Sequence, residues 1–64
     1  MTSPLDELPK ISAPASRALT SAGYIQLRQL ADVPRSELAK LHGMGPKALR
    51  VIEDALAQHG LRLS

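Results

Sequence analysis

The stretch that decides the fold is Leu41-His42-Gly43-Met44-Gly45-Pro46-Lys47-Ala48-Leu49. Gly43 and Gly45 can both adopt a positive φ and allow other backbone to approach closely. Met44, between them, can pack downward as an apolar anchor. Pro46 suits the first turn of a helix, where its missing N–H would have no partner in any case. This stretch therefore predicts a tight hairpin between two helices.

The outer surface of such a hairpin would be suited to an anion. It would present exposed backbone, the free N–H groups and positive dipole end of the following helix, and the side chain of Lys47, all of which favour a phosphate oxygen. Short glycine turns have many uses, however, and a plain tight connection between two packed helices explains Gly43 and Gly45 equally well.

Helices are predicted on both sides of the hairpin. From Pro46 to about His59, apolar residues follow the 3.6-residue repeat of a helix, at Ala48, Leu49, Ile52, Ala55 and Leu56. Gly60 is expected to cap this helix, after which Leu61 and Leu63 turn back onto the core. Before the hairpin, a helix is expected to begin at Pro34, with Leu38 and Leu41 facing inward.

The first half of the chain predicts two further helices. Ser12 is a good N-cap, and the helix after it should end at Gly23 in a left-handed conformation. Its inward stripe would be Ala15, Ala18, Leu19 and Ala22. Two helical turns are expected over Tyr24–Ala31, with Ile25, Leu27 and Leu30 inward. Tyr24, the one aromatic residue, is expected to be half buried rather than a stacking platform for bases.

These segments predict an all-α fold, a compact bundle of four to five short helices. Residues 1–10 would form an extended lead-in whose Leu5 and Leu8 touch the core, and residues 11–64 a single domain. A chain of 64 residues has room for one core and none for a deep active-site cleft. No apolar run is long enough for a membrane span and nothing resembles a signal peptide, so an unprocessed cytoplasmic protein is expected.

The charge of the chain is mildly basic. Eight Lys and Arg residues face six Asp and Glu residues, for a formal net charge of +2 at pH 7. Two of the acids, Asp6 and Glu7, precede Pro9, so the rest of the chain carries eight basic and four acidic residues. This bias is compatible with a polyanionic partner, but many domains without one carry as much.

The sequence offers no catalytic or metal-binding pattern. His42 and His59 have no cysteine and no acidic partner at ligand spacing, so neither a metal nor another cofactor is expected. Glu53 and Asp54 fit a solvated helix face, and no nucleophile lies in a recognisable pair with a base. The protein is therefore not expected to be an enzyme or to have a small-molecule substrate.

The segment Leu38–Ile52 resembles a helix-hairpin-helix motif: a helix, then an apolar-x-Gly-apolar-Gly turn, then a second helix. Nearly the whole chain, from Leu5 to Leu63, resembles the C-terminal domain of the bacterial RNA polymerase alpha subunit. The resemblance implies a SAM-like helical domain that binds DNA across the minor groove, through the start of its first helix and through the hairpin. That subunit carries a large assembly domain ahead of this one, whereas this chain begins with Met1. A free-standing relative is therefore expected.

Part of the family's DNA site is present. The family's hairpin glycine and following lysine, which contact the DNA backbone, fall on Gly45 and Lys47. Its asparagine and serine contacts fall on Gly43 and Ala48, which lack those polar groups. The arginine that the family inserts into the groove falls on or beside Pro14, and Arg17, one turn later, is the local substitute. The resemblance therefore implies the phosphate-gripping half of the site more than its groove-inserted half.

The resulting prediction is non-catalytic, largely sequence-independent binding of duplex DNA through its phosphates. His42 can contact a phosphate when protonated or be a solvated loop residue. Lys47, Arg50 and Lys40 can form one basic patch or simply serve solubility. A protein-interaction module on the same scaffold, with leucines exposed on the second helix or in the tail, is the alternative. A further alternative is binding of single-stranded DNA or RNA, which the lack of aromatic residues for stacking bases disfavours. The candidate DNA-binding residues are Gly43, Met44, Gly45, Lys47, Arg50, Arg17, His42 and Lys40.

Overall fold

Three α-helices and one short 3₁₀ helix form the fold of residues 4–64, the part of the chain that the computed structural model describes. In order they are α1 (Ala13–Ser21), the 3₁₀ helix (Leu27–Leu30), α2 (Arg35–Ala39) and α3 (Pro46–Ala57). The expected all-α class is confirmed, and no strand occurs in these residues. The expected count of four to five helices is wrong for this part of the chain, because Tyr24–Ala31 contributes one 3₁₀ turn and no α-helix. Met1–Ser3, the start of the predicted lead-in, lie outside the described residues.

Helix α1 begins and ends where its capping residues predict. The Ser12 hydroxyl accepts a hydrogen bond from the Ala15 N–H at 3.4 Å, and a proline lies in the first turn. At the other end Gly23 has φ +95°, and the Tyr24 N–H donates back to the Leu19 carbonyl at 2.8 Å. This is the left-handed glycine cap, in which the bonds of the reversed chain satisfy the last carbonyls of the helix.

The chain after Gly23 differs from the prediction. Leu27 and Leu30 are fully buried as expected, but Ile25 is 61% exposed, so its predicted inward position is wrong. Residues three apart share one face of a 3₁₀ helix, which places Leu27 and Leu30 together. Ile25 lies before that helix, where its N–H donates to the Gln29 side-chain oxygen at 2.7 Å.

The lead-in is attached to the 3₁₀ helix. The N–H of Leu27 donates to the Glu7 carbonyl at 3.2 Å, and the N–H of Arg28 donates to the Leu5 carbonyl at 3.1 Å. An exposed ion pair between Arg28 and Asp6 adds a third link. Leu5 and Leu8 are partly buried against the core, as expected. Amides that would otherwise lack partners at the start of the 3₁₀ helix are thus satisfied by the lead-in.

Helix α3 supplies more of the core than any other element. Its buried residues are those that the repeat predicts: Ala48, Leu49, Ile52, Ala55 and Leu56. All of these except Ala48 form one cluster with Leu19, the two leucines of the 3₁₀ helix, Leu38 of α2 and Leu63 of the tail. The Cα radius of gyration of the described residues is 10.2 Å, close to the value of about 11 Å expected for a compact domain of this length. The fold is compact, as predicted.

The C-terminal tail pairs with the linker ahead of α2. The Asp32 N–H donates to the Arg62 carbonyl at 2.9 Å, the Ser64 N–H to the Val33 carbonyl at 2.9 Å, and the Arg35 N–H to the Ser64 carbonyl at 3.2 Å. Within this linker Asp32 has φ +64°, the one positive φ of a non-glycine residue among residues 4–64. The tail therefore seals the core at Leu63 and also fixes the entry into α2.

Candidate functional site

The turn between α2 and α3, at the predicted hairpin and called the hairpin below, is packed against the start of α1. Gly43 has φ +94°, and a Cβ built at this position would lie 2.7 Å from the Pro14 carbonyl oxygen. Both the backbone conformation and the close approach therefore require glycine here. This contact brings the hairpin and the N-terminal turn of α1 to the same side of the molecule.

Gly45 differs from Gly43. Its φ of −124° and ψ of 172° are extended values that any residue adopts, so of the two hairpin glycines only Gly43 uses its freedom to take a positive φ. A Cβ at Gly45 would meet no heavy atom within 4 Å. Nothing in the described part of the chain requires glycine at this position, and the backbone of Gly45 is open to an approaching group.

The backbone N–H groups around Gly45 are unused. No side chain caps α3, and the N–H groups of Gly43, Gly45, Lys47 and Ala48 find no acceptor among residues 4–64. Met44 is different, because its N–H donates to the Leu41 carbonyl at 3.1 Å. Its side chain is partly buried against the core, as an anchor should be. Met44, one of the candidate DNA-binding residues, therefore does not offer a free backbone donor.

Two open grooves flank the contact between Gly43 and Pro14. The first, which we call the lysine groove, has a volume of about 480 Å³ and is lined by residues 10–12 and by Gly43, Gly45, Lys47, Ala48 and Val51. The second, the arginine groove, has a volume of about 550 Å³, and its lining includes Pro14, Arg17, Ala18, Leu41, His42 and Gly43. Gly43 lines both grooves, so they lie side by side.

Both grooves are lined by basic side chains and by no acidic ones. Lys10 and Lys47 line the lysine groove, Arg17 and His42 line the arginine groove, and no Asp or Glu lines either one. The first turns of α1 and α3 contain no acidic residue. Two other basic residues form ion pairs, Arg28 with Asp6 and Arg35 with Glu53. The groove lysines and Arg17 therefore have no carboxylate partner within residues 4–64 and can attract an anion.

The structure brings some of the predicted site residues together and leaves others apart. Gly43, Gly45 and Lys47 share the lysine groove, whereas Arg17 and His42 share the arginine groove with Gly43. Lys40 and Arg50 are exposed but line neither groove.

Two groove residues were not predicted. Lys10 and Ser12 line the lysine groove together with residues at the start of α3. Lys10 counts toward the basic excess of the sequence, but no local pattern connects it to Lys47. Ser12 is recognisable in the sequence as a helix N-cap, which does not indicate a ligand. Their position next to α3 follows from packing alone.

The leucine patch expected for a protein-interaction module is absent from the described residues. Leu27 and Leu30 of the second helical segment are fully buried, and Leu63 of the tail is 8% exposed. Ile25 is the exposed large apolar residue of this part of the chain. A single exposed apolar side chain is common on protein surfaces.

Compared with known proteins, the chain matches no protein-family model, no curated protein and no solved structure. Within residues 4–64, no helix has the length and apolar character needed to cross a membrane. Nor do three or more His, Asp or Glu side chains gather there in a way that could hold a metal ion.

Proposed function

We propose that this protein is a small, non-catalytic DNA-binding domain of the helix-hairpin-helix type. In this proposal α2, the glycine hairpin and α3 form the motif, and the start of α3 holds phosphates of duplex DNA. The sequence resemblance to the C-terminal domain of the polymerase alpha subunit supports the same assignment. A cytoplasmic, bacterial protein connected with transcription is the setting that this resemblance suggests.

One observation carries the proposal: the open backbone at Gly45, with free amides beside an unpaired lysine. The N–H groups of Gly45, Lys47 and Ala48 have no acceptor in residues 4–64, and a Cβ at Gly45 would point into open space. Free amides at a helix start favour a phosphate, and the positive end of the helix dipole adds to this preference. A glycine that packing does not require allows a phosphate oxygen to approach the backbone.

The binding proposed here is largely indifferent to sequence. By the sequence resemblance, the arginine that the family inserts into the groove falls on or beside Pro14. Tyr24 is half buried, which disfavours a role in stacking bases. Contacts to phosphates position a protein on DNA but carry no sequence information. With three or four such contacts, we expect dissociation constants of about 10⁻⁴ to 10⁻⁶ M at physiological salt.

The test is fluorescence anisotropy of a labelled random-sequence duplex, measured at two salt concentrations with the wild type, Lys47→Glu and Arg62→Glu. Arg62 is exposed in the tail and lines neither groove, and its substitution changes the net charge by the same amount. We expect saturable binding whose log Kd depends on log salt with a slope of magnitude about 3. Lys47→Glu should weaken binding far more than Arg62→Glu does.

Two results would contradict the proposal. One is the absence of binding by the wild type at low salt and high protein concentration. The other is an equal effect of the Lys47→Glu and Arg62→Glu substitutions, which would mean that net charge alone attracts the DNA.

A further inference from the structure

We infer that Lys10 forms the second cationic wall of the DNA site, and that the lysine groove holds one sugar–phosphate unit of a DNA strand between Lys10 and Lys47. This inference rests on the proposed function and extends it to a residue that lies outside the hairpin. It places part of the DNA site in the segment before α1.

The position of Lys10 is fixed by its neighbours. Pro9 before it is buried, Ile11 after it packs against the core, and Ser12 caps α1. The backbone that carries Lys10 is therefore attached on both sides, while the side chain is free to extend from an exposed position. A lysine on an anchored backbone can serve as a constant part of a binding surface.

The charged side chains of the lysine groove have the same sign. Lys10, from the segment before α1, and Lys47, from the first turn of α3, both line it, and no Asp or Glu does. Neither lysine has an ion-pair partner among residues 4–64. Two ammonium groups that line one groove without a carboxylate partner give it a positive potential, so this groove favours a negatively charged ligand.

The rest of the groove lining indicates what the anion carries. Ile11, Ala48 and Val51 give the groove an apolar side, and its volume of about 480 Å³ exceeds what a phosphate group alone would fill. A deoxyribose ring has an apolar face of the right kind to lie against these side chains. The groove lining contains no side-chain amide or carboxylate to read a base edge. The side chains that line it are those of Lys10–Ser12, Lys47, Ala48 and Val51.

The experiment measures binding of two labelled duplexes, one AT-rich and one GC-rich, by the wild type and by Lys10→Ala, Lys10→Arg, Lys47→Ala and Arg62→Ala. Circular dichroism of each variant checks that the helices are retained. We expect Lys10→Ala to raise Kd about fivefold and to reduce the salt slope by about 0.9, the share of one phosphate contact. The effect should be equal on both duplexes, and Lys10→Arg should bind like the wild type.

The outcomes separate this inference from the function on which it rests. If Lys47→Ala weakens binding but Lys10→Ala behaves like Arg62→Ala, the inference is wrong and the proposed function stands. If Lys10→Ala weakens binding to one duplex much more than to the other, Lys10 reads bases and the sugar–phosphate assignment is overturned. If the wild type binds neither duplex, the proposed function fails and the inference fails with it.

Discussion

Gly43 and Gly45 lie two residues apart in one hairpin, yet different physical constraints act on them. Gly43 is required by the fold, because it combines a φ of +94° with a contact that places a Cβ 2.7 Å from the Pro14 carbonyl oxygen. Gly45 has an ordinary backbone conformation and open space around its Cβ position. Stability should therefore depend on the first glycine, and binding on the second.

Alanine at each position separates these two effects. We expect Gly43→Ala to lower the free energy of unfolding by about 2 kcal/mol or more, since alanine is strained at positive φ and would displace α1. Gly45→Ala should cost about 1 kcal/mol at most, the difference between glycine and alanine at a helix N-cap. Urea denaturation measures both values.

The affinity for DNA should depend mainly on position 45, whereas stability depends mainly on position 43. At a temperature where Gly45→Ala remains folded, we expect its affinity for the random duplex to fall about tenfold, because a methyl group displaces the phosphate from the free amides. Wild-type affinity in Gly45→Ala would show that the open backbone does not contact DNA.

Asp32 is a second residue whose conformation predicts a measurable effect. Its φ of +64° lies in the left-handed region, which Asp tolerates better than most residues but less well than glycine. Asp32→Gly should raise the free energy of unfolding by about 0.5 kcal/mol, the relief of strain being partly offset by the greater freedom of the unfolded chain. Asp32→Val should lower it by about 1–2 kcal/mol, because a β-branched residue is strained there. A Val variant as stable as the wild type would exclude strain at this position.

At the scale of elements, local signals specify α1 and α3 but not the 3₁₀ helix. The ends of these helices are marked by capping residues, namely Ser12, Gly23 and Gly60. The buried stripe of α3 repeats along twelve residues. The 3₁₀ helix depends in part on distant residues, because the N–H groups of Leu27 and Arg28 donate to carbonyls of the lead-in. A pattern within Tyr24–Ala31 does not contain that information, and for this reason it predicts the wrong orientation for Ile25.

The Gln29 side chain is expected to fix the start of the 3₁₀ helix. Its Oε1 accepts from the N–H groups of Ile25 at 2.7 Å and Gln26 at 2.9 Å. Gln29→Ala should lower the free energy of unfolding by about 0.5–1 kcal/mol, a modest loss because both bonds are exposed to solvent. Gln29→Glu keeps the acceptor and should retain the stability of the wild type. Faster amide hydrogen exchange at Ile25 and Gln26 in the alanine variant alone would identify the cause.

At the scale of the whole molecule, one small core stabilises every element. A domain of this length has a net stability of about 3–5 kcal/mol, and Ile52 of α3 is fully buried in the core. Ile52→Ala should cost about 2–5 kcal/mol and leave a large unfolded fraction at 25 °C, whereas Ile52→Val should cost about 0.5–1.5 kcal/mol. Thermal unfolding followed by circular dichroism separates the two variants. A cooperative transition at the wild-type temperature in Ile52→Ala would mean that α3 is not central to the core.

The candidate site could be predicted only where it lies within one segment. Gly45 and Lys47 belong to the hairpin and the first turn of α3, so their spacing alone places them together. Lys10 joins them because α1 packs against the hairpin through Gly43 and Pro14, and a contact between distant segments leaves no periodic trace in a sequence. The same packing places Arg17 and His42 in a separate groove, which spacing along the chain does not predict.

The contrast between the two hairpin glycines also has an evolutionary consequence. Selection for a folded domain acts strongly on Gly43 and at most weakly on Gly45, where the proposed ligand is the stronger constraint. A descendant that keeps this scaffold but loses the ligand should therefore retain glycine at position 43 while position 45 changes to other residues. Among diverged copies of this domain, glycine at position 45 would then mark the lineages that retain the proposed binding.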